Sequence, residues 1–204
     1  MKENKTTTIR TNHNAADAMD WNEAMQVIDR MAADGKHRDA LLIACGCYLG
    51  LRVSDLLRLR WEDLLTDELV LKEQKTGKSR TLRVAASLQK FAASCRRALG
   101  SPAAEGFVFV PEGKDTPLTR QAVDKMLKHA KLKYHIRSAK VFSSHSLRKT
   151  FGRRVWLQEC EQGRGDQALL LLAEVFGHSS IAITKRYLGI RQDEILSVYD
   201  SLDG

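Results

Sequence analysis

Cysteine is sparse in this chain of 204 residues, and its placement suits no metal or disulfide chemistry. Cys45, Cys47, Cys95 and Cys160 form no CxxC pair and have no ligand-type spacing to histidine, so neither a zinc site nor a disulfide framework is expected. A reduced, cytoplasmic protein with no metal and no cofactor is the expectation. Long apolar runs are also missing. The longest, ALLIACGCYLGL from Ala40 to Leu51, falls short of the roughly 20 apolar residues that span a bilayer. No apolar segment follows the polar start MKENKTTTIRTNHN, so neither a signal peptide nor a membrane partner is expected. Internal repeats and low-complexity blocks are absent.

What the chain does have is ordinary globular composition with a basic bias. Hydrophobic residues make up 43% and charged residues 28%, enough to fold one compact domain. With 33 Lys+Arg against 25 Asp+Glu, the formal net charge of +8 favours a polyanionic partner, nucleic acid before an anionic membrane surface. The charge is concentrated. Between Leu118 and Arg154 stand eleven basic residues and a single acid, Asp124, a local excess larger than that of the whole chain. A lysine-rich helix face is often only a solvated surface, but this density points to phosphate contacts by Arg120, Lys125, Lys128, Lys149 and Arg153, and Lys78 in the hairpin is a further DNA-binding candidate.

Periodicity divides the chain. Residues 1–19 read as a flexible arm or linker remnant, and a first helix follows, capped by Asp20 with Trp21, Met25, Ile28 and Met31 at helical spacing. RDALLIACGCYLGL reads as a central buried helix, and VSDLLRLRWEDL as another, with Leu56, Leu59 and Leu64 on one side. In ELVLKEQKTGKSRTLRVA, β-type residues flank a Thr76-Gly77 turn, which predicts a hairpin with Lys75 near its tip. EGFVFVP predicts a short strand. A helix RQAVDKMLKHAKL and helices beginning near His145, Asp166 and Ile181 complete a mainly α fold with a small β-hairpin (α+β).

Three further stretches carry candidate chemistry. FSSHSLRKTF puts His145 and Arg148 on one helical face. GLRVSDLL puts Arg52 just past a buried helix and Gly50, with Asp55 three residues on, where its carboxylate can orient the guanidinium. LLLLAEVFGHSSIAITKRYLG puts His178 after a helix-ending glycine and Tyr187 nine residues later. Singly, each reads as a satisfied core histidine, a structural ion pair or a packed tyrosine.

Together, GLRVSDLL, KTGK, HSLRKTF and FGHSSIAITKRY, in that order, resemble the catalytic domain of the tyrosine recombinases, or phage integrase family, over residues 20–188. The resemblance implies that Arg52, Lys75, His145, Arg148 and His178 form the activating set and that Tyr187 is the nucleophile. Lys78, in the same KTGK, competes with Lys75 for the lysine role. Ile183 and Lys149 depart from residues common in the family, threonine and histidine respectively. The short segment before residue 20 suggests either a domain cut from a longer protein or a likeness to the short fimbrial invertases, which lack a core-binding domain. By the same resemblance the partner is double-stranded DNA, with a homotetramer on DNA and a monomer allowed without it. The tail, residues 189–204, would be a helix that docks on a neighbouring protomer or packs on its own domain. Two readings compete with a recombinase: a protein that uses the fold only to bind DNA, and a type IB topoisomerase-like enzyme.

The residue types suit that reaction. A phenol attacking a phosphodiester builds negative charge on nonbridging oxygens, which two guanidinium forks and a histidine can stabilise. A tyrosine hydroxyl titrates at about 10 when unperturbed, so attack at neutral pH needs a positive surrounding or a base, which His145 can supply. The departing 5′-oxygen needs a proton, which Lys75 can donate. Acceleration on the order of 8–23 kcal/mol against roughly 2.7–4 kcal/mol per preorganised donor requires a set of groups rather than one.

Overall fold

A computed structural model of the chain describes residues 16–190, apart from 76, and residue 199. Helix α1 (Trp21–Ala33) begins at Asp20, whose side chain accepts the Glu23 amide as the sequence predicts. Helix α2 (His37–Leu49) is apolar almost all round, and its residues from Ala40 to Cys47 are buried. That composition fits a central position, and α2 packs against α1, helix α5 (Ala86–Ala98) and helix α7 (Ser144–Cys160). Gly50 ends α2 in the left-handed conformation (φ 59°), and a Cβ there would stand 2.3 Å from the Phe151 ring. Both the backbone angle and the space therefore demand glycine.

Sequence periodicity misplaces three elements. VSDLLRLRWEDL forms two short helices, α3 (Val53–Leu56) and α4 (Trp61–Leu64), instead of one. The cause lies in EGFVFVP. Val108 N–H donates to Leu59 O (2.9 Å) and Trp61 N–H to Gly106 O (3.1 Å), which pulls the chain between the helices into an extended bridge of Arg60 with Phe107. The predicted strand is thus a single bridge. Helix α5 goes unpredicted because its inward residues, Leu88, Ala92 and Cys95, are mostly small and no side chain caps its start.

The hairpin is as expected: β1 (Glu68–Lys72) pairs antiparallel with β2 (Ser79–Arg83), Leu71 opposite Arg80 and Leu69 opposite Leu82. Helix α6 (Arg120–Lys133) starts at Thr119, whose side chain accepts the Ala122 amide. Helices α8 (Gly165–Phe176) and α9 (Ile181–Leu188) follow α7. The end of the segment read as a flexible arm is docked. Asp17 N–H donates to Val141 O (2.9 Å), Met19 N–H donates to Thr150 Oγ1 (2.8 Å), and the Met19 side chain is buried. Most of the proposed tail helix lies outside the described residues; Ile190 is fully buried.

Two apolar clusters result. The larger draws on α1 to α6 together with Leu147 of α7; the smaller comprises Leu169, Leu172, Phe176, Leu188 and Ile190 with Phe151, Val155, Trp156 and Tyr187 against it. Helix α7 is their common wall. Gly152 permits the closest approach, since a Cβ there would lie 2.6 Å from Leu188 Cδ2 and 2.8 Å from Phe176 Cζ. No single helix among the described residues is long and apolar enough to cross a membrane.

Candidate active site

Helix α7 opens with a serine frame. Ser143 N–H donates to Ser146 Oγ (3.1 Å), and Ser146 Oγ donates to Val141 O (3.2 Å). This fixes the first turn and sends Arg148 inward, while His145 stays partly exposed at the cleft. Arg148 is only 5% exposed. Its guanidinium lies 4.4 Å over the Phe176 ring and donates to Gly50 O and, through Nη2, to Phe176 O (3.2 Å). Burial pushes its pKa down to about 10, so the group remains a cation at neutral pH.

Phe176 is the last residue of α8, and helix C-terminal carbonyls lack intrahelical partners and carry partial negative charge. Here arginines fill them. Arg52 Nη2 donates to the same Phe176 O (3.1 Å), and Arg80 Nη1 donates to Val175 O (2.6 Å). Two guanidinium groups thus converge on one oxygen. Past Gly177 the chain reverses, His178 N–H donates to Ala173 O (2.8 Å), and His178 Nδ1 lies 3.0 Å from Thr184 Oγ1 of α9. The Thr184 bond orients the imidazole ring.

Tyr187 stands on α9 with its ring 5.2 Å from His178 and 5.4 Å from Phe176. Its Oη is buried and has no hydrogen-bond partner of good geometry. Burial raises the phenol pKa, while the nearby Arg148 and Arg52 charges oppose that rise. Both histidines are pushed the other way. Burial lowers His145, assisted by Arg120 and Arg148, and burial lowers His178, assisted by Arg148 and Arg52. Both shifts favour the neutral imidazole.

The six predicted residues come together. Arg52, Lys75, His145, Arg148, His178 and Tyr187 all line one cleft of about 690 Å³. Arg120 lines it too, at the start of α6 and 3.8 Å from Asp124. Lys75 lines this cleft, and Lys78 is not among its lining residues.

Other expected residues lie elsewhere. Asp55 does not hold Arg52: its Oδ1 accepts the Gln74 amide (3.0 Å), while Arg52 Nη1 pairs with Glu73 Oε2 at 2.8 Å. Glu73 also meets Arg80, at 3.6 Å. Sequence reading missed both residues, although strand alternation marks them. Glu73 follows Leu69 and Leu71 at the inward parity, and Arg80 precedes Leu82 at the facing one. Lys149 and Arg153 sit behind Tyr187: the Lys149 Nζ is 5.2 Å from the Tyr187 ring centroid, and Arg153 Nη1 donates to Leu188 O (3.2 Å). Lys78, Lys125 and Lys128 are exposed, and Lys125 faces a separate groove beside Met31 and Asp39.

The profile of the phage integrase family matches residues 16–194. The chain belongs to the phage integrase family. It is 26% identical over 183 residues to the probable integrase/recombinase YoeC of Bacillus subtilis, covering 89% of this chain and 94% of that one. It is 27% identical over 192 residues to the tyrosine recombinase XerD of Staphylococcus saprophyticus, covering 90% of this chain but only 61% of XerD. The fold also matches the crystal structure of XerA recombinase with a TM-score of 0.67 and 22% identity, over 92% of this chain and 65% of that one. The chain therefore spans nearly all of YoeC but under two thirds of XerD.

Proposed function

We propose that this domain breaks and rejoins DNA at specific sites through a covalent 3′-phosphotyrosyl bond to Tyr187. The observation that carries the reading is the convergence of Arg52 and Arg148 on Phe176 O, with the buried Tyr187 Oη close to the Arg148 guanidinium. A scissile phosphate entering the cleft would meet the two guanidinium groups and His178 through its nonbridging oxygens. Neutral His145 accepts the phenol proton as Tyr187 Oη attacks phosphorus. The bond from phosphorus to the 5′-oxygen breaks, and that oxygen takes a proton from the Lys75 ammonium.

The phosphotyrosine conserves the bond energy of the broken link, so a 5′-hydroxyl from either duplex can reverse the attack without ATP. Exchange between two duplexes breaks four strands and uses each tyrosine once, which calls for four protomers on DNA. The cluster of cations from Arg120 onward supplies phosphate contacts for binding. The test is covalent trapping on nicked duplexes drawn from the DNA flanking the gene, in EDTA. A denaturation-resistant protein–DNA band that vanishes in Tyr187→Phe supports the reading. DNA binding with no band in either protein would leave a binding-only fold.

A further inference from the structure

Lys75 is exposed near the tip of a two-stranded hairpin, a poor mount for a group that must meet one oxygen atom. Small displacements are costly there, because a reacting group about 1 Å out of place can lose roughly 10²-fold in rate. What precedes Lys75 is unusually well fastened. Glu73 N–H donates to Lys78 O and Gly77 N–H donates to Glu73 O, both at 2.9 Å, so the backbone of Glu73 closes the base of the turn. Gln74 N–H is held by buried Asp55 at 3.0 Å. The Glu73 side chain is 11% exposed and bridges Arg52 (2.8 Å) and Arg80 (3.6 Å). Those two arginines are in turn bonded to Phe176 O and Val175 O at the end of α8.

We propose that Glu73 is a positioning residue for Lys75, fastening the hairpin turn to Arg52 and Arg80 so that the lysine ammonium is presented to the 5′-oxygen that leaves the scissile phosphate. The proposal rests on the reaction proposed above. Glu73 reaches no reacting atom itself: its carboxylate is occupied by the two arginines. Its effect passes two residues along the backbone, through a turn whose other anchor is Asp55. Arg52 depends on it less, since Nη2 keeps the Phe176 carbonyl when Glu73 is altered.

The test separates proton donation from charge stabilisation. Single-turnover cleavage is measured for wild type, Glu73→Gln, Lys75→Ala and the double variant on three nicked duplexes: unmodified, with a bridging 5′-sulfur, and with a methylphosphonate at the scissile position. A sulfur leaves as thiolate and needs no proton, whereas the methylphosphonate removes the charge that the arginines stabilise. Glu73→Gln is expected to slow the unmodified duplex by roughly 10²-fold and to run near the wild-type rate on the sulfur duplex. The double variant should be no slower than Lys75→Ala. Equal slowing on oxygen and sulfur, additive losses, or rescue by the methylphosphonate alone would each overturn the assignment. If Glu73→Gln does not fold, Glu73→Asp takes its place, and its shorter reach must separate oxygen from sulfur in the same way. Absence of cleavage by wild type on every duplex would instead count against the underlying reaction, a distinct result.

Discussion

The two apolar cores differ in size and in what they carry. The larger cluster mounts Arg52 and the hairpin and reaches α7 at Leu147, while the smaller, five fully buried residues and their neighbours, carries the end of α8, His178 and Tyr187. Charges that would hold a phosphate thus stand mainly on one body and the nucleophile on the other. Helix α7 contributes to both, and otherwise the join is polar: Arg52, Arg80 and Arg148 bonded to the last carbonyls of α8. A site built this way uses as its structural fasteners the same cations that are proposed to bind phosphate. Binding and alignment cannot be altered independently at those positions.

Arg148→Ala is the harshest challenge to that view. It removes a preorganised donor, worth roughly 10²–10³-fold in rate, and leaves Gly50 O without the guanidinium that now caps it. Trapping yield on a nicked duplex should fall by at least that factor, and thermal unfolding should lose cooperativity as the two cores separate. Arg148→Lys should recover little, because an ammonium cannot span the Gly50 and Phe176 carbonyls with a planar fork. If instead the rate collapses while the melting curve is unchanged, Arg148 is catalytic only, and the join between the cores lies elsewhere.

A milder change tests the apolar side of the same join. Gly152→Ala places a methyl group 2.6 Å from Leu188 Cδ2 and 2.8 Å from Phe176 Cζ, so the Leu188 and Phe176 side chains, and α9 with them, are expected to give way. Overpacking of this kind costs about 1–3 kcal/mol, measurable as a lower urea midpoint. Affinity for uncut DNA should hold, since Arg120 and the exposed lysines of α6 are not involved, while covalent trapping slows because Tyr187 moves with α9. Equal loss of binding and trapping would mean that the smaller core also shapes the DNA surface.

Legibility in the sequence followed the same division. Helical spacing marked α1, near-continuous apolarity marked α2, and α6 to α9 were also read as helices, while the hairpin showed through β-type residues flanking a turn signal. The break between α3 and α4 was not legible, since it depends on pairing of Arg60 with Phe107, 47 residues away in the chain and invisible to local periodicity. In the site, the six residues of the family pattern were readable as types and order, and they do line one cleft. Their partners were not. Asp55 was the nearest acid to Arg52 in sequence, but helix α3 turns it to the Gln74 amide, and the carboxylate that meets Arg52 arrives from the hairpin.

The smallest expected effect is one of pH, and it distinguishes the histidines of the two bodies. Burial and neighbouring arginines lower the pKa of His178 and of His145 in the folded chain. The unfolded chain therefore binds more protons than the folded one once the pH drops below the ordinary histidine value of about 6.5. Stability is then full above that value and falls as acid carries the pH down through the lowered folded values. The urea midpoint of wild type should decline between pH 7 and pH 5, and His178→Gln should flatten the part that arises in the smaller core. A phosphate in the cleft reverses the sign at the same ring. Its negative charge favours the imidazolium, so binding of uncut DNA should take up protons and tighten over the interval in which the free protein weakens. Isothermal titration in two buffers of different ionisation enthalpy would count those protons. An uptake that survives in His178→Gln and disappears in His145→Gln would move the phosphate-facing role to the larger core.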